Sequence, residues 1–376
     1  MSYPFGKNFH VPLNDCDTHW LNDSGGVAAR KKVSERSAQE AVTSRPVVCL
    51  KEECMGKKIL FVVAVLALLG PALAFAGGKQ DSGLIKVGII NNPPSESGYR
   101  AANVADFEKV FTKENGYSVS MFYSLKNDEQ LNAASQFITD KVDYILLSAA
   151  ATDGWESVLT SAKEAGIKVF LFDRMLNAKD SLYEAAVVSD MAQQGKTAVA
   201  WLKAQKLPAY NVIHIQGAMG SDAQIGRTAA LDAEFAAGTM KKVVQQTATW
   251  DEAEAKKIVE SVINSKQPFN VIYAENDGMA KGAVAALDAA GITHGVGKSV
   301  VVMGFDCNKW ALRELLAGNW NYDGQCSPFQ AAVIDGMIKT LESGGKIANK
   351  KVISEEKGFD AKTITQKDID MYGLGS

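Results

Sequence analysis

The chain has 376 residues, 47% of them hydrophobic and 22% charged, an ordinary globular composition with length enough for two domains that each bury a core. Lys and Arg number 40 against 43 Asp and Glu, for a formal charge of −3. That balance excludes the basic footprint of a nucleic-acid binder or of a protein drawn to anionic membranes.

Residues 1–54 carry mixed charge and follow neither the strand period nor the helix period, so they read as an extension outside the fold, non-native or misassigned. Residues 55–76 read as a secretory signal. Lys57 and Lys58 follow Met55, an apolar run spans 59–69, Gly70 and Pro71 break it, and Ala74-Phe75-Ala76 offers a small-x-small site with cleavage after Ala76. The run is short of the ~20 residues a spanning helix needs. No cysteine follows it to accept a lipid, so the mature chain is expected free in the periplasm.

From residue 84 onward short apolar runs alternate with amphipathic stretches. Strands are expected at 84–90, 119–123, 144–147, 169–172 and 187–188, then at 212–215, 242–246, 271–274 and 300–305. Between them a helix is expected over 99–115, with Val104, Phe107, Val110 and Phe111 on one face. Another holds Leu131, Phe137 and Ile138, and a third carries Trp155, Val158, Leu159, Ala162 and Ala165 up to a closing Gly166. In the second run Ile258, Val259, Val262 and Ile263 share a helix face. Alternation of this kind means a parallel sheet, and two runs of it mean two α/β lobes.

The residues just past the strands carry the chemistry, because open α/β sheets bind ligands at the carboxyl ends of their strands. Asp173 and Arg174 follow FLF, Asp190 follows VVS, Asn276 and Asp277 follow VIYAE, and Asp306 follows VVMGF. Arg227 lies early in the helix after 212–215, and Trp250 and Asp251 follow 242–246. Carboxylates, amides and guanidinium forks suit a polyol, whose hydroxyls donate and accept at once, and an aromatic face suits a sugar ring. Taken singly, Asp251, Asp277 and Asp306 also read as helix caps, Trp250 as core, Tyr99 and Arg100 as a surface pair, and Asp190 as a plain strand end. Their recurrence at one edge favours a site. Asp173 and Asp306 are expected to accept sugar hydroxyls, so Asp→Asn at either should weaken binding and leave stability nearly intact.

Cys16, Cys49 and Cys54 precede the signal, leaving Cys307 and Cys326 in the mature chain. Each follows a strand signal closely, and two readings stay open, a bridge between neighbouring strand ends or two buried free thiols. Enzymatic classes find little support. NNPPSESG after the first strand lacks the glycine pattern that cradles a pyrophosphate. His214 and His294 are the only histidines past the signal, and His214, in IHI, reads as core.

With SESGYRAAN, ATDGWESVLTSAKEAGIKVFLFDR, IQGAMGSDAQIGR, YAENDGMAKGA and MGFD in order, residues 84–376 resemble the periplasmic sugar-binding proteins of the ribose/galactose type. These are type I periplasmic binding proteins, and the resemblance runs to the galactofuranose-binding proteins of sugar ABC transporters. It implies two Rossmann-like lobes joined by three crossings, a first lobe of 84–190 plus 326–355 and a second of 191–325 plus 356–376. It also implies one monosaccharide, galactofuranose or a related hexose or pentose, in the cleft, with closure around it read by the membrane permease. Position by position, the implied ligand contacts are Tyr99, Arg100, Asp173, Arg174, Arg227, Asn276, Asp306 and Gln325, with Trp250 over the sugar and Asp190 ending a crossing strand. Met191 stands where relatives often carry Asn, and Tyr99 where Trp is common. No cofactor and no metal is implied, the chain acts as a monomer without catalysis, and a chemoreceptor is a further partner the resemblance allows. A sugar-responsive repressor core is the rival reading, but a signal occupies the place of its DNA-binding helices.

Overall fold

Each apolar run forms a strand by pairing with other strands, and each amphipathic stretch then covers a sheet face. The structure, a computed structural model, describes residues 83–375, so the expected extension 1–54 and signal 55–76 lie outside the described residues. The first run holds β1 (Ile85–Asn91), α1 (Gly98–Val110), β2 (Tyr117–Tyr123), α2 (Asn127–Thr139), β3 (Tyr144–Leu147), α3 (Glu156–Glu164), β4 (Lys168–Asp173) and β5 (Ala185–Val188). The second holds α4 (Met191–Ala204), β6 (Asn211–Gln216), α5 (Asp222–Ala236), β7 (Lys241–Thr247), α6 (Glu252–Asn264), β8 (Val271–Ala274), α7 (Asp277–Ala289), β9 (Val301–Asp306), α8 (Lys309–Leu316) and β10 (Tyr322–Gln325). After these come α9 (Ala331–Glu342), β11 (Lys351–Ile353), β12 (Gly358–Asp360) and α10 (Gln366–Tyr372).

All the expected strands form, and β10 to β12 join them. The helix expected over 99–115 stops at Val110, because Phe111 turns inward to stack on Phe107 and Tyr117, with ring centroids 5.7 and 4.9 Å away.

One sheet runs β2-β1-β3-β4-β5-β11 and the other β7-β6-β8-β9-β10-β12. The order is the same in both, with the reversal beside β1 in one and beside β6 in the other, so each sheet has a crevice between the loops where its winding changes direction. Only β12 runs antiparallel to its neighbour, β10, among the described pairings. Helices cover both faces of each sheet. In the first, Phe107 of α1 and Ile334 and Ile338 of α9 pack on Phe170 and Phe172, while α2 and α3 close the other face with Phe137, Val158 and Leu159. In the second, α6, α7 and α8 cover one face and α4 and α5 the other. Each fully buried Phe or Ile stabilises the fold by about 1.5–3 kcal/mol.

The chain passes between the sheets three times, after β5, after β10 and after β11. Away from these crossings the two halves also touch. Thr152 N donates to Gly220 O at 2.9 Å, and Met175 N to Asp222 Oδ2 at 2.8 Å. The carboxyl ends of the two sheets therefore face each other across a narrow, closed gap.

Candidate functional site

That gap holds a small cavity of about 20 Å³. Tyr99, Asp173 and Arg174 line it from the first sheet, and Arg227, Trp250, Asn276 and Asp306 from the second. Glu96, Ser97, Met191, Ala223 and Cys326 complete the wall. A larger cavity, about 730 Å³, lies at the opposite, amino-terminal edge of the first sheet among residues such as Leu84, Lys86 and Lys168. It lacks the convergence of polar groups on strand carboxyl ends.

On the first side the organising group is Asp173, which ends β4 in a left-handed conformation, φ 66°, and is 1% exposed. Its Oδ2 accepts from Arg100 Nη2 at 2.7 Å and Ser148 Oγ at 2.8 Å, and its Oδ1 from the Tyr99 hydroxyl at 2.7 Å. Burial works to raise this carboxyl, but the Arg100 and Arg174 guanidiniums and the donated bonds outweigh it and hold it at about 2. Arg100 is itself held by Glu96 Oε2 at 3.1 Å and Asn91 Oδ1 at 2.7 Å. It stands behind Asp173 rather than on the cavity wall, and it acts on the cavity through that carboxylate.

Arg174 differs. Its Nη1 reaches Ala149 O at 3.2 Å, and its Nε lies 3.4 Å from Asp173 Oδ2, within ion-pair range but out of line to donate. That Nε–H is buried and unpartnered, and so is the Trp250 Nε1–H, and both residues line the cavity. The Arg174 guanidinium also lies 6.0 Å from the Trp250 ring centroid, within cation–π range.

On the second side Arg227, from α5, is fixed at each nitrogen. Nε donates to Gln194 Oε1 at 2.9 Å, Nη1 to the Glu275 carbonyl, and Nη2 approaches Asp306 Oδ1 at 3.4 Å, while the guanidinium lies over Phe305. Burial raises the Asp306 carboxyl, Arg227 pulls it down, and Glu96 and Asp173 push it up again, leaving it at about 7. Trp250 reaches the wall through a turn in which Thr249 and Trp250 both have positive φ, 51° and 71°. Its ring lies flat on Gly217, where an added Cβ would meet Trp250 Cη2 at 1.9 Å. Gly217→Ala is therefore expected to push the indole into the cavity space, shift its fluorescence and cost about 1–3 kcal/mol in stability. An unchanged emission spectrum and melting curve would contradict this packing.

Other expected site residues lie elsewhere. Asp190 is exposed and caps α4 by accepting from Gln193 N at 2.8 Å. Asp190 and Gln325 line a separate cavity of about 140 Å³ beside the crossings, with Glu356 and Tyr322. Gln325 ends β10 and Asp190 stands two residues past β5, yet both turn toward the crossings instead of the gap. Asp251 caps α6, and Asn276 caps α7 while also lining the cavity. The bridge between Cys307 and Cys326 is not formed. Both are buried free thiols that face different partners, Cys307 Sγ at 3.8 Å from Asp323 Oδ1 and Cys326 Sγ at 3.7 Å from Ser189 Oγ. Glu96 was not singled out from the sequence, although it follows β1 at the same edge, and that position was the available signal.

A family profile described as a periplasmic binding protein domain matches residues 87–333. The fructose import binding protein of Bifidobacterium longum is 31% identical over 316 residues, covering 81% of this chain and 94% of that protein. The galactofuranose-binding protein of Escherichia coli is 30% identical over 310 residues, covering 80% and 93%. Among solved structures, a galactofuranose binding protein superposes with TM-score 0.70 at 26% identity, covering 77% of this chain and 98% of its own. The binding component of an arabinose transporter from Shewanella sp. ANA-3, bound to L-arabinofuranose, gives 0.69 at 26% identity, covering 76% and 95%. The profile spans well over half of the sequence, and the chain belongs to the periplasmic binding protein domain family.

Proposed function

We propose that this chain is the solute-binding component of a sugar ABC transporter. It holds one monosaccharide between lobes 84–190 plus 326–355 and 191–325 plus 356–376, and delivers it to a membrane permease. The observation that carries this reading is the pair of buried, unpartnered donors on two residues of the cavity wall, Arg174 Nε and Trp250 Nε1, in a wall that also holds the carboxylates Asp306 and Glu96. A buried donor without an acceptor costs about 1–3 kcal/mol. Sugar hydroxyls answer both needs, accepting from the donors and donating to the carboxylates. The sugar then bridges the two lobes and stabilises the closed form by its differential affinity. In this reading the ligand contacts are Tyr99, Asp173, Arg174, Arg227, Trp250, Asn276 and Asp306, with Arg100 positioning Asp173. The chain acts as a monomer, and location in the periplasm follows from its family, with export by cleavage after Ala76.

The relatives named for galactofuranose and arabinofuranose point to a sugar taken in its five-membered ring form. Thermal melts against free pentoses and hexoses, each beside its methyl pyranoside, test this. At roughly a hundredfold excess over Kd the matching free sugar should stabilise the protein by about 2.7 kcal/mol, and its locked pyranoside should not. A panel in which no free monosaccharide shifts the melt would sink the reading.

A further inference from the structure

Near Asp306, and not part of the cavity wall, two carboxylates are buried completely. Asp277 opens α7 and Asp323 lies in β10, each 0% exposed. Their positions are tied by Gly304 of β9. Asp323 is aligned with Gly304 across the β9–β10 pairing, and a Cβ on Gly304 would meet Asp277 Oδ1 at 2.6 Å. The Asp277 carboxyl thus occupies the space a β9 side chain would take, next to the Asp323 side chain on the adjoining strand. One oxygen of each acid has donors. Asp277 Oδ2 accepts from Asn308 N at 2.8 Å and Asn308 Nδ2 at 3.0 Å, and Asp323 Oδ1 accepts from Cys307 N at 3.3 Å. The other two oxygens, Asp277 Oδ1 and Asp323 Oδ2, are buried without a partner. Two ionised carboxylates would be costly in this position. A single proton between those two oxygens would satisfy both.

We propose that Asp277 and Asp323 share one proton and, so joined, clamp the turn after β9 that carries Asp306 to the cavity. The turn needs holding, since Asp306 and Cys307 both take positive φ, 111° and 62°, a conformation non-glycine residues rarely adopt. The pair grips it by successive backbone N–H groups, those of Cys307 and Asn308. The titratable groups that bear on the pair are Asp306, the Cys307 thiol and the Tyr322 hydroxyl. Arg227, from α5, pairs with Asp306 instead, and among the described residues neither Asp277 nor Asp323 has an ion-pair partner. Burial pushes both carboxyls well above the usual aspartate range, with the charges of Asp323 and Asp306 adding to it at Asp277 and that of Asp306 at Asp323, in keeping with a retained proton. The shared proton stands whatever the cavity binds, while its effect on affinity rests on the sugar reading above.

Asp323→Asn is the discriminating variant. Its amide oxygen can still accept from Cys307 N, and its NH₂ replaces the proton by donating to Asp277 Oδ1. Infrared spectra of the sugar-free protein, taken well above the Asp306 value of about 7, should show a protonated-carboxyl stretch in the wild type that vanishes in Asp323→Asn. A group that keeps its proton when folded and releases it on unfolding makes stability fall as pH rises above the ordinary aspartate value of about 4. Unfolding of the wild type should therefore release about one proton more than unfolding of Asp323→Asn. Sugar affinity should survive in Asp323→Asn and drop roughly tenfold or more in Asp323→Ala, which removes an acceptor from the turn. A wild-type spectrum without that stretch, or equal proton release by the two proteins, overturns the shared proton. Equal loss of sugar in Asp323→Asn and Asp323→Ala overturns the clamp. Should Asp323→Asn not fold, Asp277→Asn is read in the same way, and the wild-type spectrum decides by itself. Failure of every sugar to bind the wild type would sink the sugar reading and leave the spectrum as expected.

Discussion

Asp173→Ala is expected to lower folding stability by about 3–5 kcal/mol, the cost of removing one partner from a buried ion pair. The Arg100 guanidinium, 0% exposed, would keep only Glu96 among its carboxylates, and the Tyr99 and Ser148 hydroxyls would each lose an acceptor. Asp173→Asn is expected to be costly too, against the expectation drawn from the sequence. Both carboxylate oxygens receive donors from within the protein, so an amide NH₂ on either side faces a donor. Proton linkage gives a second signature. A carboxyl held at about 2 when folded contributes stability that is present above the ordinary aspartate value and lost as pH falls through about 2. The contribution is on the order of 2 kcal/mol and should vanish from the acid limb of the Asp173→Ala profile. Urea melts across acid pH provide the measurement. An Asp173→Ala protein within ~0.5 kcal/mol of the wild type, the scatter of a neutral surface change, would refute the node.

Why Arg100 and Arg174 behave so differently was not legible in the sequence. Each is an arginine beside a strand end, and composition treats them alike. Arg100 sits in the first turn of α1, where its side chain runs back over the strand ends to Asn91 and Asp173. Arg174 follows β4 directly and stays at the gap. Direction, not residue type, separates a positioning group from a wall group. The same limit explains Asp190 and Gln325, which stand at or just past strand ends as expected but turn toward the crossings.

Core strands were easy to read because a run such as Phe170, Leu171 and Phe172 is buried on both faces and leaves an unbroken apolar signal. β10 reads YDGQ, and β11 and β12 have three residues each. They are too short or too polar to show a period, and they form because an existing sheet edge pairs with them. The shared strand order of the two sheets was equally hidden. It is set by which strands pair over long separations, and residues far apart in the chain carry no local mark of it.

Arg174→Met is expected to weaken sugar binding by about 2–4 kcal/mol, the range for truncating one partner of a buried, hydrogen-bonded charge contact. Methionine keeps much of the stem's packing against Trp250 and deletes the donors. Stability should change little. Arg174 makes one backbone hydrogen bond, to Ala149 O at 3.2 Å, its Nη2 is 4.0 Å from Glu96, and Asp173, 3.4 Å from its Nε, keeps the shorter pair with Arg100 at 2.7 Å when Arg174 is gone. Arg174 thus gives the fold few hydrogen bonds and keeps an unpartnered donor, the reverse of Arg100. Arg174→Lys should fall between the two, since an ammonium keeps the charge but not the planar fork. Titration calorimetry with the sugar that gives the largest thermal shift, run beside urea melts of the same proteins, separates the two effects. If Arg174→Met bound that sugar as the wild type does, the unpartnered Nε–H would not be a ligand contact. If it lost stability as Asp173→Ala is expected to, Arg174 would belong with Arg100 as part of the scaffold behind the cavity.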